Sequence, residues 1–436
     1  MSADPGTHPE RLGVVATWRL TPTSAKALLA GVFVNRLGGF LQIFLILFLT
    51  ERGFSAGQAG LALGVEGAGG VLGTLLGGYL SDRISARSAT LISMLGSAAL
   101  LVSILYVSYY PALLVVVLLV GVVGQIYRPA AQAMITELVP RAQLVMVTAM
   151  YRLCLNLGTT AAPLVGVALL MVSYDLLFWA EALAAVTYGL IAVRYLPRRG
   201  RPGGAPAEPE TEPEPEPAGP GEPARSGYLA VFSDFRYVCY LGAVFLIIMV
   251  HVQYTTTLPL AIADAELSLW WYGAVVTLNA ALVVTCEVPA TRWVQAWPLP
   301  VIAVFGFGLF ALGYGIYAIA IVPVFLILGT LIWTSSEIIG GPTTNAYPGL
   351  VAPAHLRGRY FGAMQSAIGI GFTVGPILGV FLWSQVGQAV WLWTAGVAVL
   401  ASLLALIGMR YRDPTTTAAT GPVRAPAPTA EAEPAS

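Results

Sequence analysis

The sequence predicts an all-α polytopic membrane protein, in which twelve transmembrane helices form two pseudo-symmetric six-helix bundles. Three observations lead to this fold class: an apolar composition, twelve apolar windows of spanning length, and an internal repeat. Of the 436 residues, 57% are hydrophobic and 10% are charged, whereas soluble domains are about 45–50% apolar and about 25% charged. The formal net charge is zero, so no nucleic-acid partner is expected. We expect the chain to be embedded in a lipid bilayer.

Twelve apolar windows have the length of about 20 residues that crosses a bilayer. They cover residues 27–49, 58–80, 88–108, 112–134, 146–170, 176–196, 238–260, 271–293, 300–320, 323–345, 359–383 and 389–411. The windows divide the chain into five parts. These are an N-terminal segment (1–26), a first six-helix bundle (27–197), a Glu/Pro-rich linker (198–236), a second bundle (237–411) and a tail (412–436).

Charge placement predicts how the chain lies in the membrane. An even number of spans puts both termini on one side, and assigning that side to the cytoplasm places nearly every loop arginine inside and Arg52 outside. This follows the positive-inside rule. We therefore expect a multi-pass protein of the bacterial plasma membrane with cytoplasmic termini. The Glu-Pro repeats of the linker are expected to form a solvated, semi-extended segment, and the Ala/Pro/Thr-rich tail is expected to be disordered.

An internal repeat has a constant offset of 213 residues. It pairs helix-breaking prolines in the two halves, since Pro129 matches Pro342 and Pro140 matches Pro353. Six spans followed by six in the same order indicate a parallel repeat about an axis normal to the membrane. Two bundles that enclose a central path are typical of a transporter. The single lysine, Lys26, is not preceded by glycine, so a nucleotide-binding Gly-Lys-Ser/Thr motif is excluded.

The junction of the second and third windows carries a recognisable loop. Gly78, Asp82, Arg83 and Arg87 resemble the signature loop of the major facilitator superfamily, from which Ser85 and Ala86 depart. The resemblance implies that this loop is a gating motif that stabilises the outward-open state. Asp82 stands at a helix end, where a carboxylate can accept hydrogen bonds from the free N–H groups of another helix, and the two arginines could lock the gate. The alternative is ordinary positive-inside loop charge.

A second motif is similar to the helix-packing antiporter motif of the bacterial drug:proton antiporter branch. It consists of Gly158, Pro163 and Gly166 in the fifth window and Gly371, Gly375, Pro376 and Gly379 in the eleventh. The fifth window departs from the motif at Ala162. Together the resemblances cover the chain except the linker and tail. They imply a seal against proton leak that favours exchange.

Charged residues inside the windows are the strongest functional signal. They are Arg36, Glu66, Arg128, Arg152, Glu181, Glu287 and Glu337. Each costs roughly 2.5–3.5 kcal/mol at mid-bilayer, so each should face protein or a water-filled cavity. The proton-coupling candidates are Glu66, Arg36, Glu337 and Glu287. Glu66 is the first candidate for proton carrier, with Arg36 as its expected counter-charge; a permanent structural pair is the alternative. Glu181 is expected to reach solvent at the outer end of its span.

Polar residues on the inner spans are candidates for the substrate cavity. They are Arg128, Arg152, Asn156, His251, Gln253 and Asn279. Arg152 and Asn156 lie four residues apart and therefore on one helix face. Each of these side chains could instead form hydrogen bonds that hold neighbouring helices together.

These patterns together predict a secondary transporter that exports a small organic molecule, drug-like or metabolite, by proton antiport through alternating access. The alternative is a proton-coupled importer of a sugar, peptide or organic acid. No catalytic or metal-ligating constellation is visible, so we expect no enzyme, no metal and no cofactor, with the proton gradient as the energy source. The expected partners are lipid, substrate and protons, and the expected state is a monomer.

Overall fold

The computed structural model describes residues 14–198, 227–268 and 270–409. The predictions for the first thirteen residues, for 199–226 of the linker and for the tail from residue 410 lie outside the described residues. The described ranges contain seventeen α-helices. They are α1 (Val14–Leu20), α2 (Thr23–Leu37), α3 (Leu41–Glu51), α4 (Ala56–Arg83), α5 (Ala86–Ile104), α6 (Tyr110–Gln125), α7 (Tyr127–Leu138), α8 (Arg141–Leu170), α9 (Tyr174–Tyr195), α10 (Tyr228–Ser233), α11 (Phe235–His251), α12 (Gln253–Asp264), α13 (Trp270–Val294), α14 (Leu299–Tyr317), α15 (Pro323–Val351), α16 (Arg357–Val386) and α17 (Val390–Gly408).

The predicted twelve-span fold is confirmed. Nine spans are single helices: span 2 (α4), span 3 (α5), span 5 (α8), span 6 (α9), span 8 (α13), span 9 (α14), span 10 (α15), span 11 (α16) and span 12 (α17). Three spans consist of two helices each: span 1 (α2 and α3), span 4 (α6 and α7) and span 7 (α11 and α12). Ten stretches of the described chain are long and apolar enough to cross a bilayer, and the last of them, Ala354–Gly408, contains both span 11 and span 12.

Spans 1 and 7 are each broken, at positions that the repeat makes equivalent. The apolar window over residues 27–49 marks one span, which the structure builds from two helices, because α2 ends at Leu37 and α3 begins at Leu41. Two glycines occupy the break, Gly38 and Gly39, and each costs about 1 kcal/mol in a helix relative to alanine. Span 7 breaks at Val252, between α11 and α12.

Glu181 of span 6 supports the break in span 1. Its Oε2 accepts hydrogen bonds from the backbone N–H groups of Phe40 (3.0 Å) and Leu41 (2.7 Å), which open α3 and have no partner within that helix. Glu181 is therefore a half-buried helix cap. The expectation that Glu181 reaches solvent is therefore corrected, because its carboxylate binds the start of α3.

Each bundle has its own apolar core. One cluster of buried side chains is drawn mainly from spans 1–6 and the other mainly from spans 7–12. We call the side of the molecule where span 1 begins and span 12 ends the termini side, and the opposite side the far side. The bundles contact each other through span 2 with span 11, and through span 5 with spans 8 and 10.

The contact between the bundles is close on the termini side. A Cβ added at Gly78 of span 2 would stand 3.0 Å from the carbonyl carbon of Gly358 in span 11. Nearer the far side, a Cβ at Gly60 or Gly64 of span 2, or at Gly273 of span 8, would meet no described atom within 4 Å. The structure is thus closed between the bundles on the termini side.

Two short helices extend the repeat beyond the spans. Helix α10 is offset by 213 residues from positions 15–20, which lie in α1. Helix α1 packs against α8 of the first bundle and α13 of the second. Helix α10 packs against α16, and its Tyr228 hydroxyl donates to the carbonyl oxygen of Leu75 in α4. Each short helix therefore lies across the contact between the bundles.

Candidate functional site

Asp82 closes the termini side by binding the start of another helix. Its carboxylate accepts hydrogen bonds from the backbone N–H groups of Gly358 (2.6 Å) and Arg359 (3.1 Å) in the first turn of α16. The Arg359 guanidinium also approaches Asp82 Oδ2, at 3.3 Å. First-turn N–H groups have no partner within their own helix and carry the positive end of its dipole. This is the kind of contact that the position of Asp82 predicts.

Small residues permit this contact. A Cβ at Gly358 would stand 2.6 Å from Asp82 Oδ1, and a Cβ at Gly78 would stand 2.7 Å from the Tyr228 hydroxyl. A Cβ at Gly362 would stand 3.2 Å from the Cα of Gly78. Spans 2 and 11 approach this closely because these positions carry no side chain.

Arg87 of the signature loop has different partners from those expected. Arg87 donates to the carbonyl oxygens of Ala192 (3.2 Å) and Val193 (2.7 Å) at the end of α9, within its own bundle. It therefore satisfies the C-terminal carbonyls of span 6 and does not reach across the gate. Arg83 donates to the Tyr79 hydroxyl on its own helix. The arginine that crosses from the other bundle is Arg359, which was not among the candidate residues.

A cluster of charges joins the two bundles in the membrane interior. Arg152 of span 5 makes a two-point contact with Glu287 of span 8, through Nε to Oε1 at 2.6 Å and Nη2 to Oε2 at 3.1 Å. Its Nη2 also lies 3.4 Å from Oε1 of Glu337 in span 10. The second oxygen of Glu337 accepts from the Asn279 amide at 3.2 Å, and that amide also donates to the Thr334 hydroxyl.

The two acids of this cluster differ in environment. The Glu287 side chain is 1% exposed, whereas that of Glu337 is 19% exposed. One arginine faces two carboxylates, so the cluster carries one surplus negative charge when both acids are ionised. Gly341, one turn after Glu337, leaves room for the guanidinium, because a Cβ there would stand 2.6 Å from Arg152 Cζ. The sequence identified each charge, and the structure brings Arg152, Glu287 and Glu337 together.

Glu66 lies apart from this cluster, inside the first bundle. Its side chain is buried, and the Gln42 amide donates to both of its oxygens at 3.2 Å. The expected ion pair with Arg36 is not formed, since the described residues give Arg36 no carboxylate within 4 Å. Instead, Arg36 and Glu66 line the same cavity of about 120 Å³. Gln42 is a polar residue in the otherwise apolar start of α3, and that isolation is the signal that could have identified it.

The cavity candidates of span 7 are enclosed by protein. Gln253 is buried, and its amide donates to the carbonyl oxygens of Met249 (2.8 Å) and Gly375 (2.9 Å). Its oxygen accepts from Thr257 at 2.6 Å. These bonds hold span 7 against span 11. Gln253 therefore fits the alternative expectation, that its hydrogen bonds hold neighbouring helices together. His251 packs against the rings of three aromatic residues, Tyr254, Phe310 and Trp333, at centroid distances of 5.0–5.8 Å.

Asn156 and Arg128 are both half-buried. Asn156 stands one turn beyond Arg152 on span 5. Arg128 lies at the start of α7, and its Nε has no hydrogen-bond partner among the described residues. Neither side chain belongs to the Arg152 cluster or to the described lining of the Glu66 cavity.

The glycines of the antiporter-like motif pack against the broken spans. A Cβ at Gly158 would stand 2.6 Å from Cβ of Arg36 in span 1, and one at Gly166 would stand 2.8 Å from Cζ of Phe44. In the second bundle, Gly371 faces span 7 at Ile248, 2.8 Å away. The remaining members share this arrangement: Gly375 and Gly379 face Met249, Val252 and Gln253, and Pro163 and Pro376 lie inside α8 and α16.

Comparisons with known proteins agree with this architecture. The family model described as the Major Facilitator Superfamily matches residues 28–369 and 272–434. The chain is 25% identical over 412 residues to a "Na(+), Li(+), K(+)/H(+) antiporter" of Planococcus maritimus, covering 89% of this chain and 95% of that protein. It is 25% identical to "Multidrug resistance protein MdtH" of Shigella sonnei, covering 79% and 83%. Its fold resembles that of the human organic anion transporter MFSD10 (TETRAN), with a TM-score of 0.64, 16% identity and coverage of 88% and 100%.

Proposed function

Because the chain belongs to the Major Facilitator Superfamily, whose members are membrane transporters and not enzymes, we propose that it exports a small organic molecule, drug-like or metabolite, in exchange for protons. The two bundles would expose a central path to each side of the membrane in turn. The proton gradient would supply the energy, with no cofactor, and a single chain would be sufficient.

One observation carries this proposal: Arg152 of the first bundle holds two carboxylates of the second, Glu287 and Glu337. A charge network in the bilayer interior is costly unless its members are paired. Because its members belong to different bundles, any change in their ionisation changes the free energy of the contact between the bundles. Proton binding and bundle movement are thereby coupled at one place.

Glu337 is the proton-accepting member of the cluster. Glu287 is fully buried and has both oxygens bound to Arg152, whereas Glu337 is partly exposed and has a single, longer contact at 3.4 Å. A proton on Glu337 removes the attraction between that carboxylate and Arg152. The protonated acid therefore favours separation of the bundles on the termini side, since a ligand shifts an equilibrium toward the state that it binds better.

Charge at the membrane faces supports cytoplasmic termini and a plasma-membrane location. The helix ends on the termini side carry Arg83, Arg87, Arg141, Arg194, Arg292, Arg357 and Arg359. On the far side, Arg52 binds the carbonyl oxygens of Ile104 and Leu105. The excess of arginine on the termini side fits the positive-inside rule. With that orientation, the closed side of the structure is the cytoplasmic side. The names of the antiporter and multidrug relatives favour export with exchange.

Measurement of substrate-driven proton movement in proteoliposomes tests the proposal. Purified protein is reconstituted with a pH-sensitive dye inside, and candidate drugs and metabolites are added under an imposed pH gradient. We expect a transported compound to move protons in the opposite direction, and we expect Glu337→Gln to abolish uphill transport. Ser335→Ala is the matched control. Ser335 is exposed on the same helix, and its hydroxyl donates to the carbonyl oxygen of Leu331 in that helix.

Two results would contradict the proposal. Proton movement in the same direction as the substrate would favour the importer, and a response to a sodium gradient in place of a pH gradient would exclude proton coupling.

A further inference from the structure

A polar cavity lies inside the first bundle, away from the Arg152 cluster. It measures about 120 Å³, which is room for several water molecules, since one water needs at least about 10–15 Å³ of such space. Drug-sized ligands occupy pockets of about 300–1,000 Å³, so this cavity suits only a small molecule. The polar side chains that line it include those of Asn35, Arg36, Gln42, Glu66, Gln125 and Tyr127.

Two opposite charges face this cavity without pairing. Glu66 is 4% exposed, and its carboxylate has only the Gln42 amide as a hydrogen-bond donor in the described part of the chain. No carboxylate lies within 4 Å of the Arg36 guanidinium there. Glu181 also lines the cavity, and one of its oxygens is already used by the start of α3. Unpaired charges in the bilayer interior are costly and usually mark a functional site.

A further polar atom of the wall is unsatisfied. The side-chain oxygen of Gln125 is buried and has no hydrogen-bond partner among the described residues. Buried polar groups are nearly always hydrogen-bonded. Gln125 lines the cavity, so a polar occupant would satisfy it.

We propose that this cavity binds a small zwitterion, with an ammonium group at Glu66 and a carboxylate at Arg36. A molecule that carries only a positive charge leaves Arg36 without a partner, and one that carries only a negative charge is repelled by Glu66 and Glu181. A zwitterion of the size of a small amino acid complements both charges at once. This inference rests on the proposed function, because it names the class of the transported substrate.

The cavity is accessible from outside the first bundle. Gln42 of α3 and Thr159 of α8 line it and are themselves exposed. Since Gln42 also orients the Glu66 carboxylate, the entrance and the ammonium site share a residue.

Equilibrium binding with three related ligands tests the inference. Radiolabelled L-alanine, ethylamine and propionate are bound to the purified full chain in detergent, without a gradient. Ethylamine is alanine without its carboxylate, and propionate is alanine without its ammonium group. We expect alanine to bind at least about tenfold more tightly than either analogue, because each loses one charge-assisted contact. Equal binding of alanine and either analogue, or no alanine binding, would overturn the inference.

Variants identify the site. Glu66→Gln should weaken alanine binding by about tenfold or more and should not weaken propionate binding. Glu51→Gln is the matched control, because Glu51 is exposed at the end of α3, and it should bind alanine as the unmodified chain does. If Glu66→Gln does not fold, Gln42→Leu keeps the charge and removes the amide that orients it, and alanine should then bind more weakly. Unchanged alanine affinity in the folded variant would place the site elsewhere.

Failure of this inference is distinguishable from failure of the proposed function. Binding is measured without a proton gradient, whereas antiport is measured by proton movement. A chain that moves protons with another compound and does not bind alanine would refute the zwitterion site alone. A chain that binds alanine and moves no protons with any compound would refute antiport and leave the site standing.

Discussion

Arg152 and Glu287 join the two bundles by a two-point contact, with Nε–Oε1 at 2.6 Å and Nη2–Oε2 at 3.1 Å. The pair crosses from span 5 to span 8, and its acid is buried. Since each partner belongs to a different bundle, the pair exists only while the bundles are in contact. Under the proposed function, the contact must break and re-form during the transport cycle.

Removing one partner of this pair should destabilise the protein. Arg152→Gln leaves Glu287 buried without its counter-charge, and breaking such a pair typically costs about 3–5 kcal/mol. The double variant Arg152→Gln/Glu287→Gln should recover most of that loss. Thermal unfolding in detergent measures both. Arg292→Gln, at an exposed position of the same span 8, is the control and should change stability by less than about 0.5 kcal/mol. A single variant as stable as the unmodified chain would show that the pair contributes nothing.

Asp82→Asn should slow transport and leave substrate affinity largely intact. The change removes the charge that binds Arg359 and the start of α16, so the closed termini side loses a differential contact of about 1–3 kcal/mol. Flux in liposomes and equilibrium binding in detergent separate the two effects. Asp175→Asn is the control, because Asp175 is exposed on the far side. Unchanged flux would remove the gating assignment.

Substitution by alanine should have different effects on transport and stability at two glycines of span 2. Gly78→Ala places a Cβ 3.0 Å from the carbonyl carbon of Gly358, so spans 2 and 11 must move apart. Transport and thermal stability should both fall. Gly64→Ala meets no described atom within 4 Å and should be neutral or stabilising by up to about 1 kcal/mol, since alanine favours helix. Equal effects of the two substitutions would mean that close packing at Gly78 is unimportant.

The linker and the helix that follows it should differ in importance. Replacing residues 203–220 with a Gly/Ser segment of equal length should leave flux within about twofold, because the Glu-Pro sequence there predicts no packing role. Tyr228→Phe, by contrast, removes the hydroxyl that binds the Leu75 carbonyl oxygen and should weaken closure by about 0.5–1.5 kcal/mol. Tyr109→Phe, at an exposed position, is its control. A tenfold loss on linker replacement, with normal expression, would reveal a docking role for that segment.

Much of the fold could be predicted because composition and periodicity report on the membrane directly. The apolar windows identify the spans, and the repeat identifies the two bundles. The break in span 1 was not predicted, because an apolar window measures hydropathy and not helical hydrogen bonding at Gly38 and Gly39. The short helices α1 and α10 are too short to form such a window, although the 213-residue offset relates them.

The sequence predicts which residues belong to the candidate site better than it predicts which of them pair with each other. Burial of a charge follows from its place in an apolar window, but its partner depends on how two helices face each other. Arg36 was therefore paired with Glu66 from their depth alone, whereas the structure joins Glu66 to Gln42. The repeat predicts which positions in the two bundles are equivalent, but the residues at equivalent positions can differ in chemical type. Glu287 is equivalent to Thr74, whose hydroxyl instead meets that of Ser366 at 2.7 Å across the other contact between the bundles.

The pH dependence of one distance tests the central claim, that protonation of Glu337 releases the contact between the bundles. Spin labels are placed at Ala142 and Ala296, which are exposed on the termini side of the two bundles, after replacement of the three cysteines. We expect acid to increase the fraction of long distances, because a protonated Glu337 no longer attracts Arg152. Glu337→Gln should show at every pH the distance distribution that the unmodified chain shows in acid. A Glu337→Gln protein that keeps the pH response of the unmodified chain would contradict the account.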